Sequence, residues 1–230
     1  FAQYDGTPMN KTGDTKKAET AVRTDKYPHS DNDWENFDVL HINRLPSAAT
    51  FMAYTTKEKA VKNDKSQSEY FQSLNGTWKF QFVPRSDQRP MDFFEKGHDV
   101  SGWGNIKVPA NWEMEGYGHP FYVGAGYGIK RNPPLIAVEN SPVGSYKRTF
   151  NVPANWKGKQ IVLHFGGVAS AFYVWVNGEK VGYSQDSKTP SEFDITPYAV
   201  TGQNEIAVQV FKFSDGYYLE DQDYWRFAGI

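Results

Sequence analysis

The chain has 230 residues, enough for one generous β-domain with extra segments or for two small domains, and long enough to bury a core without covalent staples. Its 25 basic and 27 acidic residues give a net charge of -2, which leaves no surplus of positive charge to neutralise a phosphate backbone and argues against nucleic acid as a partner. The absence of cysteine excludes disulfides and thiolate-bound metal but leaves the compartment open.

Phe1 opens the chain without a methionine or a signal peptide, so the expectation is that an upstream piece has been removed. That piece is either a signal peptide removed in the cell or a segment deleted by other means, and the sequence does not separate the two; a periplasmic or secreted location is expected, with the cytoplasm as the alternative. No apolar run approaches the ~20 residues that cross a bilayer, so no membrane partner is expected. Residues 1–32 are polar and rich in Lys, Asp, Thr and Gly, with too few large apolar groups to offset the entropy of ordering; they read as a flexible arm. The stretch 33–45, DWENFDVLHINRL, alternates too poorly for a strand and is too short for an independent helix. It is expected to lie extended against another surface, and 54–70 to hold a short helix, so that 33–70 forms a docking segment.

From residue 71 the pattern changes. Trp78, Phe80 and Phe82 recur at period two with Thr77, Lys79 and Gln81 between them, which predicts a half-buried strand. The same period runs through Tyr146, Arg148 and Phe150 and through Ile161, Leu163 and Phe165, while 171–176 is apolar on both faces and reads as a central strand. Asn177-Gly178 suits a type I′ turn into a strand over 180–185, and 204–213 supplies another long strand. Short strands, abundant turn residues and no long helical periodicity predict an all-β jelly-roll or related sandwich over 71–230. The apolar stretch 224–230 has no cap or polar tail, so it either packs internally or lacks a following strand.

Excess aromatic residues, 16 % of the chain, suit a sandwich core first and sugar faces second. The histidines at 29, 41, 98, 119 and 164 have no metal-binding spacing, and His164 reads as a sheet residue turned from the core. Gly124-Ala125-Gly126-Tyr127-Gly128 is followed by Pro133-Pro134 where a phosphate-binding helix would begin, which removes a nucleotide loop. The sequence around Ser184 lacks the second glycine of a nucleophile elbow. Asn75-Gly76-Thr77 and Asn10-Lys11-Thr12 match glycosylation acceptors, a motif too short to weigh. Carboxylates at 186, 192, 194, 215, 220, 221 and 223 are candidates for paired acid and base work, yet clustered like charges in a loop more often serve solvation or salt bridges. The loop 185–194 concentrates short polar groups between two strands. It can hold a sugar, or equally satisfy its own backbone through Asp and Ser side chains.

Several ordered blocks resemble one family. They are DWENFDVLHINRL at 33–45, SLNGTWKFQF at 73–82, VPANWEMEGYGHPFY at 108–122, NPPLIAVENSPVGSYKRTF at 132–150, GVASAFYVWVNGEKVGYSQDSKTPSEFDIT at 167–196 and SDGYYLEDQDYWRFAGI at 214–230. Together they are similar to glycoside hydrolase family 2, in particular its large β-galactosidases. The resemblance implies a galactose-binding-domain-like jelly roll leading a multidomain enzyme, ahead of an immunoglobulin-like sandwich and a barrel with two catalytic glutamates, neither of them in this chain. The segment alone is therefore expected to be inactive. Asp186, within YSQDS, matches the family aspartate that touches galactose hydroxyls and helps to ligate sodium. Tyr122 and Tyr127 match a substrate-side loop in which Gly124 stands where relatives carry asparagine and Gly128 where they carry proline. Glu220, Asp221 and Asp223 match a block at a domain boundary and read as structural, holding the loop through Arg226 or a neighbouring domain. No cofactor is implied within the segment; sodium and magnesium, a galactoside, downstream domains and homo-oligomerisation are implied for the parent enzyme. The rivals are a stand-alone carbohydrate-binding module and the same domain of a β-glucuronidase or β-mannosidase.

Overall fold

The computed structural model describes residues 30–124, 126–220 and 223–230. The expected flexible arm up to residue 29, with Asn10, and the candidate Asp221 lie outside the described residues.

Eleven strands are present among the described residues: β1 (His41–Ile42), β2 (Gly76–Val83), β3 (Gly104–Val108), β4 (Phe121–Val123), β5 (Val143–Val152), β6 (Val162–Phe165), β7 (Ala171–Val176), β8 (Glu179–Gln185), β9 (Ser191–Asp194), β10 (Gly202–Phe211) and β11 (Tyr224–Arg226). A seven-stranded antiparallel sheet runs β1-β8-β7-β10-β5-β2-β3, and β6-β9 and β4-β11 form two small antiparallel sheets. The product is an all-β sandwich, as the spacing of short strands and turn residues led one to expect.

The core follows from the alternation of side chains along each strand. In β7, Phe172, Val174 and Val176 face one cluster with Ile206, Val208 and Val210 of β10, closed from the other side by Leu163 and Phe165 of β6 and Phe193 of β9. Ala171, Tyr173 and Trp175 face the opposite way, into a second cluster with Trp34, Phe93 and Phe211. Both faces of β7 are thus buried, which is why its sequence is apolar without alternation. Each such large side chain contributes roughly 1.5–3 kcal/mol on burial. The turn after β7 has Asn177 at φ 52° and Gly178 at φ 88°, the positive pair that type I′ geometry demands.

Segment 33–45 differs in part from its sequence reading. Asp33–Glu35 forms a 3-10 turn, and His41–Ile42 does make a strand, pairing His41 with Ser184 and Ile42 with Tyr183. The unpaired edge of β8 recruits two residues whose own pattern carries no strand signal. A six-residue helix, α1 (Lys57–Lys62), is capped by the Thr56 side chain and ends at Asn63. The candidate loop is also shorter than 185–194, because β8 runs to Gln185 and β9 begins at Ser191.

Of the two readings of 224–230, internal packing holds. Ala228 is buried, Trp112 donates to the Ala228 carbonyl at 2.9 Å and Ala110 to the Ile230 carbonyl at 2.9 Å, and Gly229 bridges both Asn111 and Ala169. A Cβ on Gly229 would fall 2.3 Å from the Ala110 carbonyl oxygen, so only glycine permits this approach.

Candidate sugar-binding site

Gln185 ends β8 with its side chain buried and its Oε1 accepting from the Tyr183 hydroxyl at 2.7 Å. The next residue, Asp186, turns out of the sheet at φ 96° into solvent. Its Oδ1 accepts from the Lys188 backbone N–H at 3.1 Å and its Oδ2 from the Thr189 hydroxyl at 2.6 Å. The loop therefore does satisfy its own backbone through Asp186. An ionised carboxylate offers about four lone-pair directions, so this turn uses only part of its capacity and leaves acceptor sites facing outward.

The residue after Asp186 is tied from the other side. Ser187 donates to Glu220 Oε1 twice, through its backbone N–H at 3.1 Å and its hydroxyl at 2.7 Å, and Glu220 Oε2 takes Arg226 Nη1 at 3.2 Å. Arg226 in turn lies 4.8 Å over the Tyr217 ring, and Lys188 Nζ lies 4.3 Å over the Tyr224 ring. Ser187, Lys188, Lys212, Glu220, Tyr224 and Arg226 help to line a cleft of about 240 Å³. Asp186 stands beside this wall and is exposed.

The β4-β11 ribbon places Tyr122 opposite Trp225, with ring centroids 5.3 Å apart and both side chains about half exposed. Tyr122 donates its hydroxyl to the Asp223 carboxylate, which pushes the phenol pKa above its ordinary value. Gly124 follows β4, and a Cβ there would meet only Tyr122 Cε1, at 3.7 Å. Gly128 sits at φ 65°, where a Cβ would fall 2.6 Å from Phe121 Cζ. Proline, fixed near φ -65°, cannot take that conformation, so the glycine at 128 sets a different backbone course from one carrying proline.

The remaining candidate carboxylates do not converge on one cleft. Glu192 binds His164 at 2.9 Å on the exposed side of the β6-β9 sheet, and Asp194 accepts from Gln160 and from the Thr196 backbone. Asp215 is fully buried. Burial pushes its carboxyl up to about 6 against the opposing hydrogen bonds from Gln185 and the Gly216 N–H. Among the described residues no group of three or more His, Cys, Asp or Glu is arranged to hold a metal ion.

Sequence reasoning passed over two features here. One is the ion pair of Lys212 Nζ with Glu113 Oε1 at 2.6 Å, both side chains buried; a lysine between Phe211 and Phe213 at the end of a core strand was its available signal. The other is Trp225 beneath Tyr122, for which the local sequence carries none.

Residues 71–230 match the family model described as glycosyl hydrolases family 2, sugar binding domain. A protein named beta-galactosidase from Priestia megaterium is 44 % identical over 226 residues, covering 96 % of this chain and 21 % of its own length. Another of that name from Halalkalibacterium halodurans is 44 % identical over 207 residues, covering 88 % of this chain and 20 % of its own. The chain thus spans about a fifth of the length of these relatives. The solved beta-glucuronidase of Ruminococcus gnavus is 25 % identical with a TM-score of 0.47, covering 63 % of this chain and 22 % of its own.

Proposed function

The chain belongs to the sugar-binding domains of glycosyl hydrolase family 2, and from that membership we propose that it is one wall of the substrate pocket in a larger retaining β-galactosidase acting on terminal β-galactosides. Asp186 carries the reading. Its exposed carboxylate keeps lone pairs that its own turn does not consume, and sugar hydroxyls are donors of the kind such oxygens accept. A charge-assisted hydrogen bond of this kind contributes roughly 1.5–3 kcal/mol, enough to bind and too little to hydrolyse. Tyr122, packed against the cleft-lining Trp225 on the neighbouring ribbon, is read as a second residue on the substrate side. At Gly124 no side chain reaches the ligand.

The acid and nucleophile of a retaining hydrolase are two carboxyl groups about 5–5.5 Å apart, and in this reading both come from downstream domains. The same domains supply most of the contacts to the galactoside, within a parent that is a homo-oligomer. Hard oxygen donors at 186 suit a hard cation such as sodium. Asp186 would give that ion a single carboxylate ligand, with the rest of its shell from outside the chain.

The test is Asp186→Asn in the full-length enzyme. Amide for carboxylate keeps the volume and removes the charge, so kcat/KM on a chromogenic β-galactoside is expected to fall about ten- to a hundredfold, carried mainly by KM. An unchanged kcat/KM would remove Asp186 from the site.

A further inference from the structure

We propose that Glu220 is the positioning residue of this site, the group that sets where Asp186 stands relative to the rest of the pocket wall; the inference rests on the sugar-contact reading of Asp186. Asp186 is exposed and, among the described residues, its side chain bonds only within its own turn, through Lys188 and Thr189. Those bonds shape the turn and fix nothing about its place on the domain. On the N-terminal side the loop is anchored by buried Gln185. On the C-terminal side the anchor is Glu220, 33 residues away, whose Oε1 takes both donors of Ser187 at 3.1 and 2.7 Å.

Glu220 also faces the opposite way. Its second oxygen takes Arg226 of β11 at 3.2 Å, and β11 is the strand whose Trp225 lies against Tyr122 and whose neighbour Asp223 accepts the Tyr122 hydroxyl. One carboxylate therefore joins the turn that carries Asp186 to the β4-β11 ribbon that carries Tyr122. Ser187 follows Asp186 directly, so its release would free the turn to pivot about Gln185. The carboxylate would keep its charge and lose its place. Asp186 at φ 96° sits in a region that non-glycine residues occupy only when neighbours hold them there, and Ser187 held by Glu220 is such a neighbour.

Two variants separate the acceptor role from the ion pair in the full-length enzyme. Glu220→Ala removes everything; KM for a chromogenic β-galactoside is expected to rise about tenfold with kcat within about threefold. Glu220→Gln keeps an oxygen for Ser187 and gives up the charge facing Arg226, so most of the affinity is expected to return. A glutamine variant as impaired as the alanine one would show that Glu220 acts through Arg226 and overturn the proposal. The decisive measurement is a double-mutant cycle with Asp186→Ala. With Asp186 absent, Glu220→Ala is expected to cost no more than about a further twofold. Full additivity, with Asp186→Ala itself impaired, would overturn the positioning role and leave the sugar contact standing. An unimpaired Asp186→Ala would remove the contact and the positioning together. Ser187→Ala removes the hydroxyl bond alone and repeats the cycle if Glu220→Ala does not fold, with about a threefold loss expected that vanishes in the Asp186→Ala background.

Discussion

Lys212 Nζ lies 2.6 Å from Glu113 Oε1, in an ion pair whose side chains are 5 % and 0 % exposed. The pair is a clamp between distant parts of the chain. Lys212 follows β10 and also donates to the His119 carbonyl, while the other Glu113 oxygen accepts the Ala228 N–H at 3.0 Å. Removing one partner leaves a charge in the interior with no counterion. Lys212→Met is therefore expected to cost about 3–5 kcal/mol, read as a lower denaturation midpoint at unchanged slope. A loss below about 1 kcal/mol would mean that the pair acts as an exposed bridge does.

Trp34 stacks on Phe211 with centroids 4.1 Å apart and 19° between planes, and meets Tyr173 edge-on. Arg89 covers it from outside, 4.8 Å from the ring centroid. The ring closes the second core cluster over the back of the main sheet. Trp34→Ala is expected to destabilise the fold by about 3–5 kcal/mol and to lower its solubility. Unchanged thermal unfolding would show that segment 33–45 contributes little to the domain.

Asp215 makes stability depend on pH. Its folded pKa of about 6 lies above the ~3.9 of an unfolded aspartate, so the folded state binds the proton more tightly. Stability contributed by that proton is full below pH ~4, declines as pH rises, and is lost above pH ~6. The groups facing it, Gln185, Glu35 and Tyr183, offer no positive charge, and among the described residues its Oδ2 has no hydrogen-bond partner. Asp215→Asn is expected to flatten the decline and to stabilise the domain at pH 8 by about 1–3 kcal/mol. Denaturant unfolding of both proteins from pH 4 to 8 checks it; an Asp215→Asn protein no more stable at pH 8 would refute it.

How far these features could be read beforehand depended on the range over which each is determined. Strands β2 and β7 and the Asn177-Gly178 turn were legible because alternation and turn chemistry are local. Strand β1 was not, since its two residues pair only because β8 offers an open edge. At the site, the Asp186 turn follows from its own hydroxyl and amide neighbours, and both readings of it, backbone turn and ligand-facing group, were visible in the residues. Glu220 was legible as a structural acid holding its loop through Arg226, a contact present at 3.2 Å, while its bonds to Ser187 were not, because they depend on how the chain returns after β10. Burial of Asp215 and the pairing of Lys212 with Glu113 were hidden for the same reason.

Gly124 marks a place where function can be added. Its backbone is not in the left-handed region and a Cβ has open space apart from ordinary contact with Tyr122 at 3.7 Å, so a side chain fits. Gly124→Asn is expected to fold normally and to lower KM for a galactoside about three- to tenfold in the full-length enzyme, the gain of one neutral hydrogen bond. Unchanged KM would place residue 124 away from the ligand.

The division of labour itself is open to a single assay: turnover of a chromogenic β-galactoside by the purified 230-residue chain, shown by circular dichroism to be folded. No release of chromophore above buffer is expected, because the proposed role of the chain is a binding wall and an acceptor carboxylate, with the acid and nucleophile in downstream domains. Saturable turnover that survives removal of every contaminating hydrolase would place the chemistry inside this chain and contradict the account.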